Sequence, residues 1–106
     1  MKLKKDTKRH IQRFGDYETT NAFKMMGNDY RMNILSVLRD HPGLTLDQIN
    51  QQVGGDIKNI HSHTKKLFNA GLIHKRYQGN AVQHTLSGYG KVALKAFSLF
   101  IEYDPT

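Results

Sequence analysis

The sequence predicts a mainly α-helical domain with one small β-hairpin, in the order helix, helix, helix, helix, hairpin, helix. Three observations support this fold class. Apolar residues recur at helical spacing in five segments, favourable cap residues stand directly before most of these segments, and two short strand-like runs surround a glycine-containing turn. The chain has no internal repeat and no linker rich in Pro or Gly. We therefore expect one domain over residues 17–104, preceded by a basic arm at residues 1–16.

The first two helices are predicted from apolar spacing and from their ends. The segment "YETTNAFKMM", residues 17–26, carries apolar residues at helical intervals and ends before Gly27. In "NDYRMNILSVLRD", Asn28 is a favourable N-cap and Asp29 suits the positive end of a helix. The sequence His41-Pro42-Gly43 ends this second helix.

The next two helices form a helix-turn-helix unit. Thr45 and Gln48 have the spacing of a capping box, and the short helix that they start breaks at Gly54-Gly55. Asp56 caps the following helix, which runs to Asn69. Two helices joined by a glycine-containing turn are typical of a helix-turn-helix.

A hairpin and a last helix complete the domain. The runs "LIHKRY" and "AVQHTL" flank "QGN", which indicates two strands joined by a tight turn. Ser87 caps a helix that starts at Gly88 and ends near Tyr103. The whole order is that of a winged helix-turn-helix domain.

The charge distribution predicts a polyanionic partner. The net charge is +7, and residues 57–101 carry seven Lys or Arg but no Asp or Glu. A solvated surface normally mixes both signs, so we expect a nucleic acid ahead of a membrane, with mere solubility as the alternative. The arm, with six bases, fits either phosphate contacts or a solubilising tail.

Several function classes are excluded by what the sequence lacks. Absence of cysteine excludes disulfides, thiolate catalysis and cysteine-ligated zinc. No segment has the length of a membrane span or the apolar core of a secretory signal, so we expect a cytoplasmic protein. With two Glu, no phosphate-binding glycine motif and no plausible Ser-His-Asp set, we expect no enzyme and no cofactor.

Three segments resemble the ArsR-type family of winged-helix regulators. "GNDYRMNILSVLRD" is similar to the family's G-D-P-x-R-L-x-I-L-x-L-L, and "VGGDIKNIHSHTKKLFNAGLI" to L-G-x-S-x-x-x-V-S-x-H-L-K-K-L-x-x-A-G-L-V. "TLSGYGKVAL" is similar to the L-T-x-x-G-x-x-x-L that follows the wing in related families. The resemblance covers roughly residues 22–95. It implies a dimeric DNA-binding transcription regulator, often a repressor released by a ligand or metal.

The chain also departs from that family. Thr64 stands where leucine is usual, and Gly55-Asp56 replaces the usual cap. The helix segment "TLDQINQQV" lacks the cysteine box of metal-sensing members, and "SGYGKVALKAFSLFIEY" lacks histidine. We therefore expect no bound metal, and the sequence identifies no small-molecule effector.

The helix over residues 56–69 has two distinct faces at about 100° per residue. The predicted core arc consists of Ile57, Ile60, Thr64, Leu67 and Phe68. The opposite arc is polar and basic, as in a recognition helix, although a merely solvated face is the alternative. His61 and His63 flank the core on opposite edges, so they cannot share a metal ion. We interpret His63 as a half-buried histidine that bonds a neighbouring helix.

The predicted DNA interface combines this helix with the hairpin. The helix would enter the major groove, and residues 72–86 would form the wing. The N-terminus of the preceding helix would add phosphate contacts. The predicted DNA-binding residues are Thr45, Gln48, Lys58, Asn59, His61, Ser62, Lys65, Lys66, Lys75, Arg76, Gln78 and Asn80.

The apolar surface of the last helix predicts a homodimer. This helix is apolar most of the way round, more than one core-facing stripe requires, although a wholly buried central helix is the alternative. The predicted interface residues are Phe23, Met26, Phe97, Phe100 and Ile101.

Two alternative functions remain open at this point. His74 and His84 are expected to be near neighbours across the hairpin, which would form part of an incomplete zinc site, although an exposed polar strand face fits them better. A histidine-ligated metal sensor is therefore one alternative to a double-stranded DNA-binding regulator. A winged helix that binds another protein is the other.

Overall fold

A computed structural model of the chain describes residues 17–102, which form a winged helix-turn-helix domain. The elements are α1 (Tyr17–Met26), α2 (Asp29–Asp40), α3 (Leu46–Val53), α4 (Ile57–Asn69), β1 (Ile73–Gln78), β2 (Ala81–Leu86) and α5 (Gly88–Glu102). This order confirms the predicted fold class. The basic arm and the helix end expected near Tyr103 lie outside the described residues. Within those residues, no helix is long and apolar enough to cross a membrane.

Side-chain caps start three of the helices at the predicted residues. The Asn28 side chain accepts a hydrogen bond from the backbone N–H of Arg31 at 3.1 Å. Thr45 and Gln48 form the complete capping box, since each side chain accepts from the backbone N–H of the other. The Asp56 carboxylate accepts from the N–H of Lys58 at 3.1 Å. These bonds satisfy backbone donors that have no partner inside the helix.

The start of α5 is held against the turn that follows α4. Ser87 Oγ accepts from the N–H of Gly90 at 2.8 Å and donates to the carbonyl oxygen of Gly71 at 2.6 Å. A Cβ at position 90 would overlap the carbonyl oxygen of Leu72. Glycine at this position therefore allows α5 to approach the chain that leads into the hairpin closely.

The core lies where α2, α3 and α4 meet the hairpin and α5. Fully buried side chains come from α2, α3 and α4, including Ile34, Ile49, Ile60 and Leu67, and α5 contributes the buried Leu94. Thr64, which departs from the ArsR-type pattern, is also buried, and its hydroxyl donates to the carbonyl oxygen of Ile60 at 2.7 Å. Because this bond satisfies the hydroxyl, the polar residue is accommodated in an apolar environment.

Two residues of the predicted core arc of α4 are not in the core. Ile57 is 37% exposed and Phe68 is 42% exposed. Ile57 is the first residue of the helix, one turn before Ile60 reaches the core. The Phe68 ring instead supports a side chain of the hairpin, because the ammonium of Lys75 lies 4.6 Å from its centre in a cation–π contact.

The hairpin has a two-residue turn and two chemically distinct faces. Gly79 adopts a positive φ of 59° at the first turn position, which favours glycine. Cross-strand pairing joins Lys75 to His84 and His74 to Thr85. Successive residues of a strand point to opposite faces, so His74 and His84 lie on opposite faces of the hairpin. The expectation that they are near neighbours is wrong.

His84 attaches the hairpin to the start of the helix-turn-helix. It is only 3% exposed, so the expected exposed strand face is also wrong for this residue. Its Nδ1 lies 2.9 Å from the carbonyl oxygen of Leu44, which can only accept, so Nδ1 carries the proton and donates. Backbone bonds of 2.8 Å join the same strand residue to Leu44 and Gly43. The base of the wing is therefore fixed to the loop before α3.

Acidification is expected to weaken the fold through His84. Burial lowers its pKa below the ordinary 6.5, so the unfolded chain binds this proton more tightly than the folded chain. The stabilisation is fully present above pH 6.5 and decreases as the pH falls through 6.5 towards the folded pKa. Urea unfolding between pH 8 and pH 5 would measure the decrease. His84→Asn is the control, because its amide can donate to Leu44 but does not titrate. If His84→Asn kept the full pH dependence of the wild type, His84 would not be the group responsible for it.

Candidate nucleic-acid interface

The outward surface of α4 is basic and polar. Lys58, Asn59, Ser62, Lys65 and Lys66 are all exposed. The residues of α4 include no acid, and the carboxylate of the preceding cap residue is engaged by the backbone. This helix therefore presents donors and positive charge with no carboxylate among them.

A cleft of about 540 Å³ separates α4 from the hairpin and the start of α3. Four predicted site residues from three different elements line it together: Thr45, His61, Lys75 and Asn80. Asp47, which is not among the predicted site residues, also lines this cleft. The predicted recognition helix and the wing thus face each other across one concave surface.

Other predicted site residues are only partly available. The Thr45 hydroxyl oxygen and the Gln48 carbonyl oxygen are used in the capping box, which leaves the Thr45 hydroxyl proton and the Gln48 amide nitrogen for a ligand. Arg76 and Gln78 are exposed, but strand alternation puts them on the hairpin face opposite Lys75. Each face of the wing therefore carries one basic side chain, Lys75 on one face and Arg76 on the other.

The two histidines of α4 face different elements. His61 lines the cleft to the hairpin, whereas His63 packs against α2. The Nδ1 atom of His63 lies 3.2 Å from the guanidinium of Arg31, which confirms the interpretation of a half-buried histidine that bonds a neighbouring helix. Among residues 17–102, no group of three His, Asp or Glu side chains could hold a metal ion.

Tyr30 and Arg31 are site neighbours that sequence reasoning missed. The Tyr30 ring stacks on the His63 ring, with centres 5.6 Å apart and planes 11° from parallel. Both residues belong to α2, more than thirty positions before His63, and helical periodicity gives no signal of a contact over that distance. Only the packing of α2 against α4 brings these side chains together.

An apolar groove of about 200 Å³ runs between α1 and α5. Phe23, Val92, Ala93 and Ala96 line it. Met26 also lines it but has 0% exposure, because it belongs to the core of the monomer. Its predicted role at a subunit interface is corrected for that reason: it has no surface to offer a second subunit.

The other predicted interface residues differ in exposure. Phe100 is 77% exposed and Phe97 is half-buried against the core. The side chain of Ile101 lies outside the described residues. Val92 and Leu99, which the prediction omitted, are 68% and 64% exposed. The described part of α5 is therefore not a wholly buried central helix.

Comparison with known families identifies the chain by its central segment. A family model described as HVO_A0114 matches residues 28–92, from the cap of α2 into α5. This chain belongs to the HVO_A0114 family. The matched segment includes the helix-turn-helix and the whole hairpin, so the α4 surface and the cleft of this HVO_A0114-family chain lie inside it. No curated protein matches the sequence.

Solved structures share the fold of this HVO_A0114-family chain at low sequence identity. Mb0332 from Mycobacterium bovis, described as a possible ArsR-family transcriptional regulator, is 16% identical with a TM-score of 0.77, covering 96% of this chain and 91% of its own. NolR from Sinorhizobium fredii is 18% identical with a TM-score of 0.73, covering 94% and 95%. HlyU from Vibrio cholerae N16961 is 23% identical with a TM-score of 0.69, covering 78% and 90%. The expected resemblance to ArsR-type domains is confirmed at the level of the fold.

Proposed function

We propose that this chain is a sequence-specific double-stranded DNA-binding transcriptional regulator that acts as a homodimer, most simply as a repressor. The observation that carries the proposal is the acid-free, donor-rich outward surface of α4, on a helix that is separated from the wing by one cleft. The similar structure Mb0332 is described as a homodimeric winged helix-turn-helix DNA-binding domain, which supports both parts of the proposal. A regulator of this kind needs neither a catalytic site nor a cofactor.

The N-terminal half of α4 would read bases in the major groove. In winged-helix and helix-turn-helix proteins this half of the recognition helix approaches the base edges. Asn59 can bond adenine in a bidentate manner, Lys58 can bond guanine, and Ser62 can bond either base. His61 stands at the edge of the same surface, towards the wing.

The remaining polar residues would position the protein on the DNA backbone. Lys65 and Lys66 lie further along α4, where phosphate contacts are favoured over base contacts. Lys75 and Asn80 approach the same strand from the wing side of the cleft, and Arg76 lies on the outer face of the wing. Of the residues that line the cleft, Lys75 is a cation and Asp47 is an acid. The positive charge of α4 itself lies on its outward surface, so we expect the sugar–phosphate chain to contact that surface and the wing.

The groove between α1 and α5 supports the homodimer. Exposed apolar side chains on this side of the molecule, including Val92, Leu99 and Phe100, form more apolar surface than a solvated helix needs. A two-fold dimer through this surface would hold two α4 helices for successive major grooves, roughly 34 Å apart.

Two single substitutions on α4 test the division between base and phosphate contacts. Asn59→Ala is expected to cost about 1–3 kcal/mol and to relax the preference at one base position. Lys66→Ala is expected to weaken binding to every duplex by a similar factor and to make the salt dependence shallower by about one unit. Fluorescence anisotropy with matched and mismatched duplexes would measure both effects. Identical behaviour of the two variants would contradict the division.

Selection of binding sites from random duplex DNA, combined with the mass of the protein in solution, tests the proposed function as a whole. We expect an enriched sequence with two-fold symmetry and a dimeric mass. Affinity for that duplex should fall steeply with salt, by about 0.9 logarithmic units per phosphate contact per tenfold change. No enriched sequence, or weak binding with a shallow salt dependence, would favour a winged helix that binds another protein.

A further inference from the structure

Three side chains from two helices form a compact cluster beside α4. Tyr30 and Arg31 come from the first turn of α2, and His63 comes from the middle of α4. The Tyr30 and His63 rings stack at 5.6 Å, and Arg31 Nη1 lies 3.2 Å from His63 Nδ1. Arg31 Nε also donates to the carbonyl oxygen of Met25 at the end of α1. The imidazole is thus fixed both by a stack and by a hydrogen bond.

The hydrogen bond to Arg31 determines which nitrogen of His63 carries the proton. A guanidinium has only donors, so Nδ1 must accept with its lone pair, and the proton of the neutral ring resides on Nε2. Partial burial, followed by the positive charges of Arg31 and Lys66, lowers the pKa of His63, which favours this neutral form. Among residues 17–102, no group accepts from the Nε2–H. The ring therefore holds one oriented donor without a protein partner.

The cluster lies on the flank of α4 that faces away from the hairpin. Lys66 is one helical turn beyond His63 and is exposed. The Tyr30 hydroxyl lies next to the turn before α4, since a Cβ on Gly55 would be 3.0 Å from it. Tyr30 is 43% exposed, so part of its side chain is open to a ligand beside this turn. Two neutral donors and one cation therefore follow the side of the helix that the wing does not cover.

We propose that Tyr30 and His63 form a phosphate-binding subsite, in which the Tyr30 hydroxyl and the His63 Nε2–H donate to the DNA backbone beside the major groove. Arg31 acts as a positioning residue that holds the imidazole in the donating tautomer. The proposal rests on the proposed DNA-binding function and adds a contact on the side of α4 opposite the wing. The DNA would then be held from both flanks of the recognition helix.

Neutral donors give this subsite a thermodynamic signature different from that of lysine. A hydrogen bond from an uncharged group adds affinity for phosphate but neutralises no charge, so it releases no counterion. Losing such a contact should raise the dissociation constant for every duplex by a similar factor and leave the salt dependence unchanged. Lys66→Ala, in contrast, should change the salt dependence. The two kinds of phosphate contact can therefore be separated by titration with salt.

Matched variants test the subsite on the full-length protein. Tyr30→Phe keeps the stacked ring and removes only the hydroxyl, and each lost contact should weaken binding about two- to tenfold. His63→Asn is too short to donate from the Nε2 position, whereas His63→Gln places an amide donor there and should retain most of the affinity. Anisotropy titrations at several salt concentrations, using the selected duplex and an unrelated one, would measure all three variants. Urea unfolding would establish that each variant is folded.

The outcomes separate this proposal from the proposed function. If the wild type binds duplex DNA but Tyr30→Phe and His63→Asn bind equally well, the subsite is wrong and the DNA-binding function stands. A wild type that binds no duplex overturns both. Altered salt dependence in Tyr30→Phe would also overturn the subsite, because the hydroxyl carries no charge.

Nuclear magnetic resonance tests the positioning role of Arg31 without DNA. The ¹⁵N chemical shifts of the His63 ring should report an unprotonated Nδ1 and a protonated Nε2 in the wild type. Arg31→Met removes both the donor and the positive charge, so the pKa of His63 should rise relative to wild type. A protonated Nδ1 in the wild type, or an unchanged pKa in the variant, would overturn the role assigned to Arg31.

Discussion

Gly90→Ala is expected to destabilise the domain, whereas glycine-to-alanine substitution at an open position of the same helix is not. The added methyl group would overlap the backbone carbonyl oxygen of Leu72, and backbone cannot move aside as the end of a flexible side chain can. Relief requires α5 to shift away from the turn, which disturbs the bonds of Ser87 to both elements. Overpacking of this kind costs about 1–3 kcal/mol and occasionally more. Urea unfolding of wild type and variant would measure the loss.

Gly88→Ala provides the matched control on the same helix. A Cβ at position 88 meets no atom within 4 Å, and the residue has no positive φ. Alanine is also the better helix former, so this variant should be as stable as wild type or slightly more stable. Equal destabilisation by both substitutions would mean that the contact with Leu72 does not determine the result.

Introducing carboxylates on the exposed apolar side of α5 is expected to abolish the proposed dimer and most of its DNA affinity. In the double variant Val92→Asp with Leu99→Asp, two unpaired charges would be buried at the subunit interface, at a cost that a marginal interface cannot offset. A monomer engages only one half-site. Affinity for a two-fold symmetric duplex should therefore fall by about 100-fold or more, because the second half-site no longer binds as part of the same molecule.

Sedimentation or light scattering measures the mass of the double variant in solution, and Lys91→Asp is the control. Lys91 is exposed on α5, about 80–100° around the helix from Val92 and Leu99, and it lines a different groove. The control variant should keep the mass of a dimer. A double variant that keeps its dimeric mass would refute the assignment of this α5 surface to the subunit interface.

The boundaries of the helices were predictable because they depend on local chemistry. Asn28, Thr45 and Asp56 cap the chain within three residues of their own positions, so neighbouring residues alone determine where each helix begins. The hairpin was predictable for the same reason, since Gly79 permits the backbone conformation that its turn needs. Cap residues and turn glycines of this kind therefore determine local structure whenever the packing of the domain is compatible with it.

Burial within an element was less predictable because it depends on distant partners. Phe68 fits an apolar stripe by its spacing, yet the ring leaves the core to support Lys75 on the hairpin. Met26 fits an interface by its apolar character, yet the core of the monomer takes its whole side chain. The stack of Tyr30 on His63 depends on how two helices pack, which no local pattern encodes.

The attachment of His84 to Leu44 also limits self-association of the hairpin. A two-stranded sheet has two open edges, and each could template the addition of a strand from another molecule. The backbone bonds to Gly43 and Leu44 occupy the outer edge of β2 at His84. The other edge belongs to β1, whose Lys75 and Arg76 make it repel an identical edge. The exposed hairpin is thereby protected from pairing with the hairpin of another molecule.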